Sequence, residues 1–321
     1  MTKTPSFKPK KDIAPRAVRY ASSILLVCAS VCVSVFYSSE VAHAVKSSLS
    51  LCAKVIIPSV FPFIVLADFL LATVDFCALE PLPSLFEKAF GIRREGAPAF
   101  LLGMICGFPL GVKCTAELYE SGALSREEAE RLIGFSNNTG PAFIVSGIGA
   151  ALHGDAKYGV LLYVSMLISA TAVGVIFKKN SECYKRDFLP VTKRRRFLAV
   201  ESIKAAATGT LNVCAFITFF APFCNFLRHI LGESLVYLCI IPFLEVGSAS
   251  SILSKTALLT EAQSLALTSF AICFSGLSVH LQALSFLGKT DIRVKQYFLM
   301  KLSQGLIAAA LTFSFALIAG W

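Results

Sequence analysis

Four short stretches place polar or ionisable side chains beside helix-breaking residues inside otherwise apolar sequence. In Gly107-Phe108-Pro109-Leu110-Gly111-Val112-Lys113 the lysine sits near a break, where its ammonium can meet an anionic solute group. The structural alternative is a lysine reaching from a helix end toward the membrane interface. In Ser136-Asn137-Asn138-Thr139-Gly140-Pro141 the asparagine pair is placed to cap a helix that starts at Pro141, where a missing N–H costs nothing. A helix N-terminus is also an anion site, so at least one asparagine is expected to face solute, with Thr139 beside it. In Leu244-Glu245-Val246-Gly247-Ser248-Ala249-Ser250 the carboxylate follows the apolar run YLCIIPFL. At membrane depth such a group is costly enough to imply a role: exchanging a proton, ligating a cation or holding Lys113. The alternative is a loop glutamate at the interface. In Phe274-Ser275-Gly276-Leu277-Ser278-Val279-His280-Leu281-Gln282, Ser278 and Gln282 are four apart and share a helical face, while His280 points elsewhere as a structural histidine. Asp68 is a further intramembrane carboxylate, without a neighbouring breaker. The expected binding set is Lys113, Asn137, Asn138, Thr139, Glu245, Ser248, Ser278 and Gln282, with no catalytic group and no metal ligand.

The elements that must hold these residues are membrane helices. The chain of 321 residues is 55% hydrophobic and 16% charged, with mean hydropathy +0.70, far more apolar than a soluble domain of this length. Apolar runs near the ~20 residues that cross a bilayer cover 18–37, 49–74, 97–116, 158–177, 205–227 and 297–320. Shorter or interrupted ones cover 131–152, 235–246 and 265–287. About eight to ten membrane-embedded elements follow, not all of them full spans.

The net charge of +10 is placed to orient these helices. Residues 1–20 hold six Lys/Arg against one acid, and 178–196 hold eight against two; both segments flank apolar runs and are assigned to the cytoplasm. A nucleic-acid partner is not expected. The eleven cysteines are scattered singly, mostly in apolar runs, with no CxxC and no zinc-ligand spacing, so no disulfide, metal or cofactor is expected. The first apolar run, followed by Ala42-His43-Ala44, has the outline of a signal peptide, but its length favours an uncleaved anchor.

With the N-terminus inside, the element starting near Leu49 enters from the outer side and the one starting near Ala205 from the cytoplasm, the condition for an inverted repeat. Gly111 and Gly247 are 136 residues apart, and so are Gly140 and Gly276. Between the members of each pair lies a polar helix start, Ser125 with Glu128 and Thr260 with Gln263, both at capping-box spacing. The division is 1–48, basic cytoplasmic N-terminus and first anchor; 49–178, repeat 1; 179–204, basic cytoplasmic linker; 205–321, repeat 2. The fold class is an all-α integral membrane bundle with two inverted repeats and broken or re-entrant helices. Free backbone groups at a helix break are tolerated in a membrane only where they line a cavity or are buried in protein, which is how secondary transporters build their sites.

GFPLGVK (107–113), FSNNTGPAFIVSGIG (135–149), PFLE (242–245) and FSGLSVHLQ (274–282), together with PSVFPFIVLADFLL (58–71), resemble the sporulation integral membrane protein YlbJ (SpoVV) family, of the nucleoside-recognition or Gate-domain type. The resemblance spans roughly 49–321 in the expected order. It implies an endospore former, a fold similar to concentrative nucleoside transporters, and movement of dipicolinic acid across the outer forespore membrane. In the family the glutamate is followed by a hydrophobic residue, a threonine and a glycine; here Val246 is followed directly by Gly247-Ser248, which points to a different ligand preference.

The residues alone reach a multi-pass, non-enzymatic transporter of a small polar or anionic solute in the cell membrane; no hydrolase or phosphate-loop signature is present. In that expectation Lys113 and the helix start at Pro141 receive a carboxylate, the asparagines and Gln282 hydrogen-bond a ring, and Glu245 couples or gates. The partners are the solute and the lipid bilayer, with a coupling ion (H+ or Na+) and a homo-oligomer left open. The alternative, from a different class, is a non-transporting scaffold of a spore-envelope assembly.

Overall fold

A computed structural model describes residues 35–73, 80–179, 198–288 and 290–321, which form helices joined by turns with no strand among them. Chain contacts separate Met1–His43 from Ala44–Trp321. Of the first unit only residues 35–43 are described, and they are almost entirely helical. Most of the expected anchor at 18–37 and of the linker at 179–204 lies outside the described residues.

The N-terminal half runs α1 (Ser38–Leu51), a wide π-type turn (Cys52–Ile56), α2 (Ile57–Thr73), α3 (Leu82–Phe90), a 3-10 turn (Arg94–Gly96), α4 (Ala97–Ile105), α5 (Leu110–Glu120), α6 (Arg126–Ser136), a π-type helix (Ala142–Leu152) and α7 (Ala156–Ile176). The C-terminal half runs α8 (Leu198–Leu231), α9 (Leu235–Leu244), α10 (Val246–Leu253), α11 (Glu261–Phe274), α12 (Gly276–Leu287) and α13 (Lys295–Ile318). Apart from α3 and the 3-10 turn, the halves repeat one order: a long helix, two short helices across a break, a capped helix, a second break, another short helix and a closing long helix.

Both capping boxes form. Ser125 accepts from the Glu128 N–H while Glu128 accepts from the Ser125 N–H, and Thr260 and Gln263 do the same at α11. Two boundaries differ from the sequence expectation. Leu49 starts no element, because nothing between Ser38 and Leu51 breaks the helix, and Ala42-His43-Ala44 lies within α1. The apolar run 97–116 is two helices, α4 and α5, because Gly107 adopts φ +79°. A Cβ there would also lie 2.3 Å from the Gly140 nitrogen, so only glycine lets these two breaks touch.

Five helical stretches are long and apolar enough to cross a membrane by length and composition: Ser38–Leu66, Ala156–Ile176, Ala199–Leu231, Glu261–Leu287 and Lys295–Ile318. Ala142–Leu152 and Leu235–Leu244 are apolar but short. Inside, Ile144, Leu162, Met166, Leu265, Ile272 and Ala308 pack into one core drawn from the π-type helix, α7, α11 and α13. Outside, Leu66, Leu211, Phe219, Leu306 and Ile318 stand exposed, an arrangement suited to lipid rather than water.

An ionic cluster joins the two halves near the start of α6. Glu130 accepts from Arg126 Nε at 2.9 Å and from Arg293 N and Nε at 3.0 Å, and Arg126 also meets Asp291 at 3.1 Å. Glu128 accepts from Arg93 N and Nε at 3.0 Å. Burial pushes both glutamates up, but these hydrogen bonds outweigh it and hold them below the usual carboxylate range.

Candidate functional site

The four breaks identified in the sequence come together in pairs. Phe108 N–H donates to the Asn138 carbonyl at 2.6 Å, joining the break after α4 to the break after α6. In the C-terminal half, a Cβ on Gly276 would lie 3.2 Å from the Glu245 nitrogen, so the start of α12 abuts the break before α10. The pairs are joined by Thr139, whose hydroxyl donates to the Ile272 carbonyl at 3.2 Å; the Ser275 hydroxyl donates to the same carbonyl at 3.3 Å. Ser275, at φ +79°, is where α11 ends and α12 begins.

These breaks wall a cleft of about 570 Å³, a volume that includes the open solvent at its mouth. Thr139, Glu245, Ser278 and Gln282 are among its polar lining residues. Ile56 and Val60, Val213 and Ile217, and the rings of Phe63, Phe108 and Phe143 form much of the apolar wall. Two helix starts face it, that of the π-type helix through Ala142 and Phe143 and that of α12 through Ser278 and Val279. The positive poles of the backbone therefore converge on the cavity.

Glu245 is 1% exposed and holds the third helix start itself. In extended conformation at the N-cap of α10, its Oε1 accepts from Gly247 N–H at 2.7 Å and its Oε2 from Ser248 N–H at 2.5 Å. The buried carboxylate is thus a cap and a lining group together. Ser278 Oγ and Gln282 Oε1 are buried without a hydrogen-bond partner, a state that a solute or water donor would relieve.

The remaining expected site residues lie elsewhere. Ser248 contributes its backbone N–H to Glu245 and is half-buried. Lys113 is half-buried on α5 and does not belong to the lining, so the start of the π-type helix meets the cavity without it. Asn137 and Asn138 are fully buried but do not cap that helix, whose start has no side-chain cap. They turn toward α13, because polar groups there offer the hydrogen bonds that the apolar core cannot. Asn137 Nδ2 donates to Tyr297 Oη at 2.9 Å, and Asn138 Oδ1 accepts from Gln304 Nε2 at 2.8 Å. Lys301 Nζ donates to the Asn137 carbonyl and to Gln304 Oε1, each at 2.8 Å. Tyr297 Oη also lies 2.8 Å from His280 Nδ1, giving His280 its structural partner.

Tyr297, Lys301 and Gln304 were not anticipated as site residues. Their signal was legible: positions i, i+4 and i+7 of an apolar helix put all three on one face. Among the described residues, no group of three or more His, Cys, Asp or Glu side chains could hold a metal ion.

No family model matches the chain, and no solved structure matches it. Among curated proteins, the sporulation integral membrane protein YlbJ of Bacillus subtilis (strain 168) is 27% identical over 311 residues, covering 83% of this chain and 75% of the relative. The apolar helices and this integral membrane relative support a membrane location. That identity, over most of both chains, supports membership of this protein in the YlbJ family of sporulation integral membrane proteins.

Proposed function

We propose that the protein is a transporter of a small polar or anionic solute, built from two inverted repeats whose breaks form the binding cavity. The observation that carries the proposal is the meeting of four helix breaks around one cavity lined by Thr139, Glu245, Ser278 and Gln282. A scaffold would have no use for backbone poles, a buried carboxylate and unpartnered polar groups gathered at one point; a carrier uses them to replace a solute's water. The repeated order of helices and breaks supports the inverted repeat. The two helix starts favour an anion without any lysine in the wall, and the rings of Phe63, Phe108 and Phe143 suit a planar solute.

Dipicolinic acid, the solute that the family resemblance implies, has both a planar ring and two carboxylates and is the first to test; the outer forespore membrane is the matching location. The site of this chain retains the departure after Glu245, where Gly247 N–H and Ser248 N–H both serve the carboxylate. The experiment is uptake of radiolabelled dipicolinate into vesicles carrying the purified protein. Uptake by wild type that disappears in Glu245→Ala is the expected result. Wild-type vesicles that move neither dipicolinate, nucleosides nor related anions overturn transport and leave the scaffold role.

A further inference from the structure

Lys301 lies in the middle of the protein, fully buried, on a helix long and apolar enough to cross a membrane. Its amine has two acceptors, the Asn137 carbonyl and Gln304 Oε1. A neutral amine has two N–H groups and an ammonium three, so the acceptors match the neutral form and leave the third hydrogen of the charged form unserved. The titratable groups that face it are the Cys273 thiol from α11, His280 from α12 and Tyr297 from its own helix; Asn137 and Asn138 face it from the break. None of these is a carboxylate, and among the described residues Lys301 has no salt bridge. A buried cation without an anion is costly, and an anion placed nearby removes that cost.

The break that Lys301 holds also reaches the cavity. The Asn137 carbonyl that Lys301 holds lies two residues before Thr139, which lines the cavity. We propose that Lys301 is the proton-accepting group of the carrier, taking up a proton when an anionic solute occupies the cavity and releasing it when the solute leaves. The lone pair of Nζ takes a proton supplied by the acid form of the bulk buffer, whose conjugate base stays in solution, so one positive charge enters with the negative solute. Binding and protonation then favour each other by the same factor. The inference rests on the proposed transport function and names its coupling ion and the residue that carries it.

The test is equilibrium binding of dipicolinate, a dianion throughout the range, to the purified protein in nanodiscs from pH 6 to 9, with proton uptake read by a dye in weak buffer. Wild type is expected to take up a proton on binding and to weaken by up to about tenfold per pH unit at the alkaline end. Lys301→Arg, permanently charged, is expected to bind without proton uptake and with a flat pH profile. Lys301→Met is expected to bind at least tenfold more weakly at pH 6, also with a flat profile. Wild-type binding without proton uptake, or a Lys301→Arg protein that keeps the wild-type pH profile, overturns the inference while leaving transport standing. Wild type that binds no dipicolinate at any pH overturns both. If Lys301→Met fails to fold, Lys301→Arg decides alone.

Discussion

Two buried polar clusters flank the break after α6, and they differ in how far their side chains bond one another. On the α13 side, Asn138, Gln304 and Lys301 bond one another and the Asn137 carbonyl, and Asn137 reaches His280 through Tyr297, with Asn137 Oδ1 and His280 Nε2 left without a partner. On the cavity side, Glu245 is satisfied by its own helix, while Ser278 Oγ and Gln282 Oε1 have no partner. The α13 side is a connected network that ties the break to its neighbouring helices, whereas the Ser278 hydroxyl and the Gln282 side-chain oxygen join no network and border the cavity. The same break serves both sides: its asparagines belong to the holding cluster and Thr139 to the open one.

The comparison breaks most severely at the backbone contact beneath both clusters. A Cβ on Gly103 would lie 1.7 Å from the Ser136 carbonyl oxygen, so Gly103→Ala must displace the end of α6. It is expected to cost about 3 kcal/mol or more, read as loss of the folded species in a detergent-resistant thermal melt. Next is Gln304→Leu, which removes one of the two acceptors of Lys301 and the donor to Asn138 at once. A cost of roughly 2–3 kcal/mol is expected, because both partners stay buried. A melt matching wild type would show that the α13 side is not the holding cluster.

Gln282→Leu tests the open side. It replaces an unpartnered amide by an apolar group of similar size, so stability is expected to stay within about 0.5 kcal/mol while solute uptake falls at least tenfold. A variant that loses stability but keeps uptake would reverse the assignment of the two clusters.

The smallest effect lies at the ionic cluster. Glu128 and Glu130 sit below their ordinary values when folded, so their stabilising contribution is complete above the ordinary carboxylate range. It is lost as pH falls through their lowered folded values. The melting temperature is expected to drop below pH ~4, with a shallower drop in Glu128→Gln.

Much of the helical architecture was legible because its signals are local. The capping boxes at Ser125 and Thr260 depend on residues three apart, and the breaks at Gly107, Gly140, Glu245 and Gly276 stand out against apolar neighbours. The same locality misplaced the boundary at Leu49, since a run of apolar residues marks where a helix meets lipid and not where it begins. It also assigned Asn137 and Asn138 to a cap, the nearest use for an asparagine before Gly-Pro, while their partners on α13 lie about 160 residues away.

By itself, the sequence determined that this chain is helical and apolar, where its helices break, and that polar groups gather at those breaks, because each follows from side-chain chemistry over a few residues. Only the tertiary structure decided which face of the break after α6 meets the cavity, that Lys113 stands outside its lining, and that the buried Lys301 holds the Asn137 carbonyl of the same break. Those depend on which helices pack together, and packing pairs residues by shape and hydrogen-bond need across distances that no local pattern encodes.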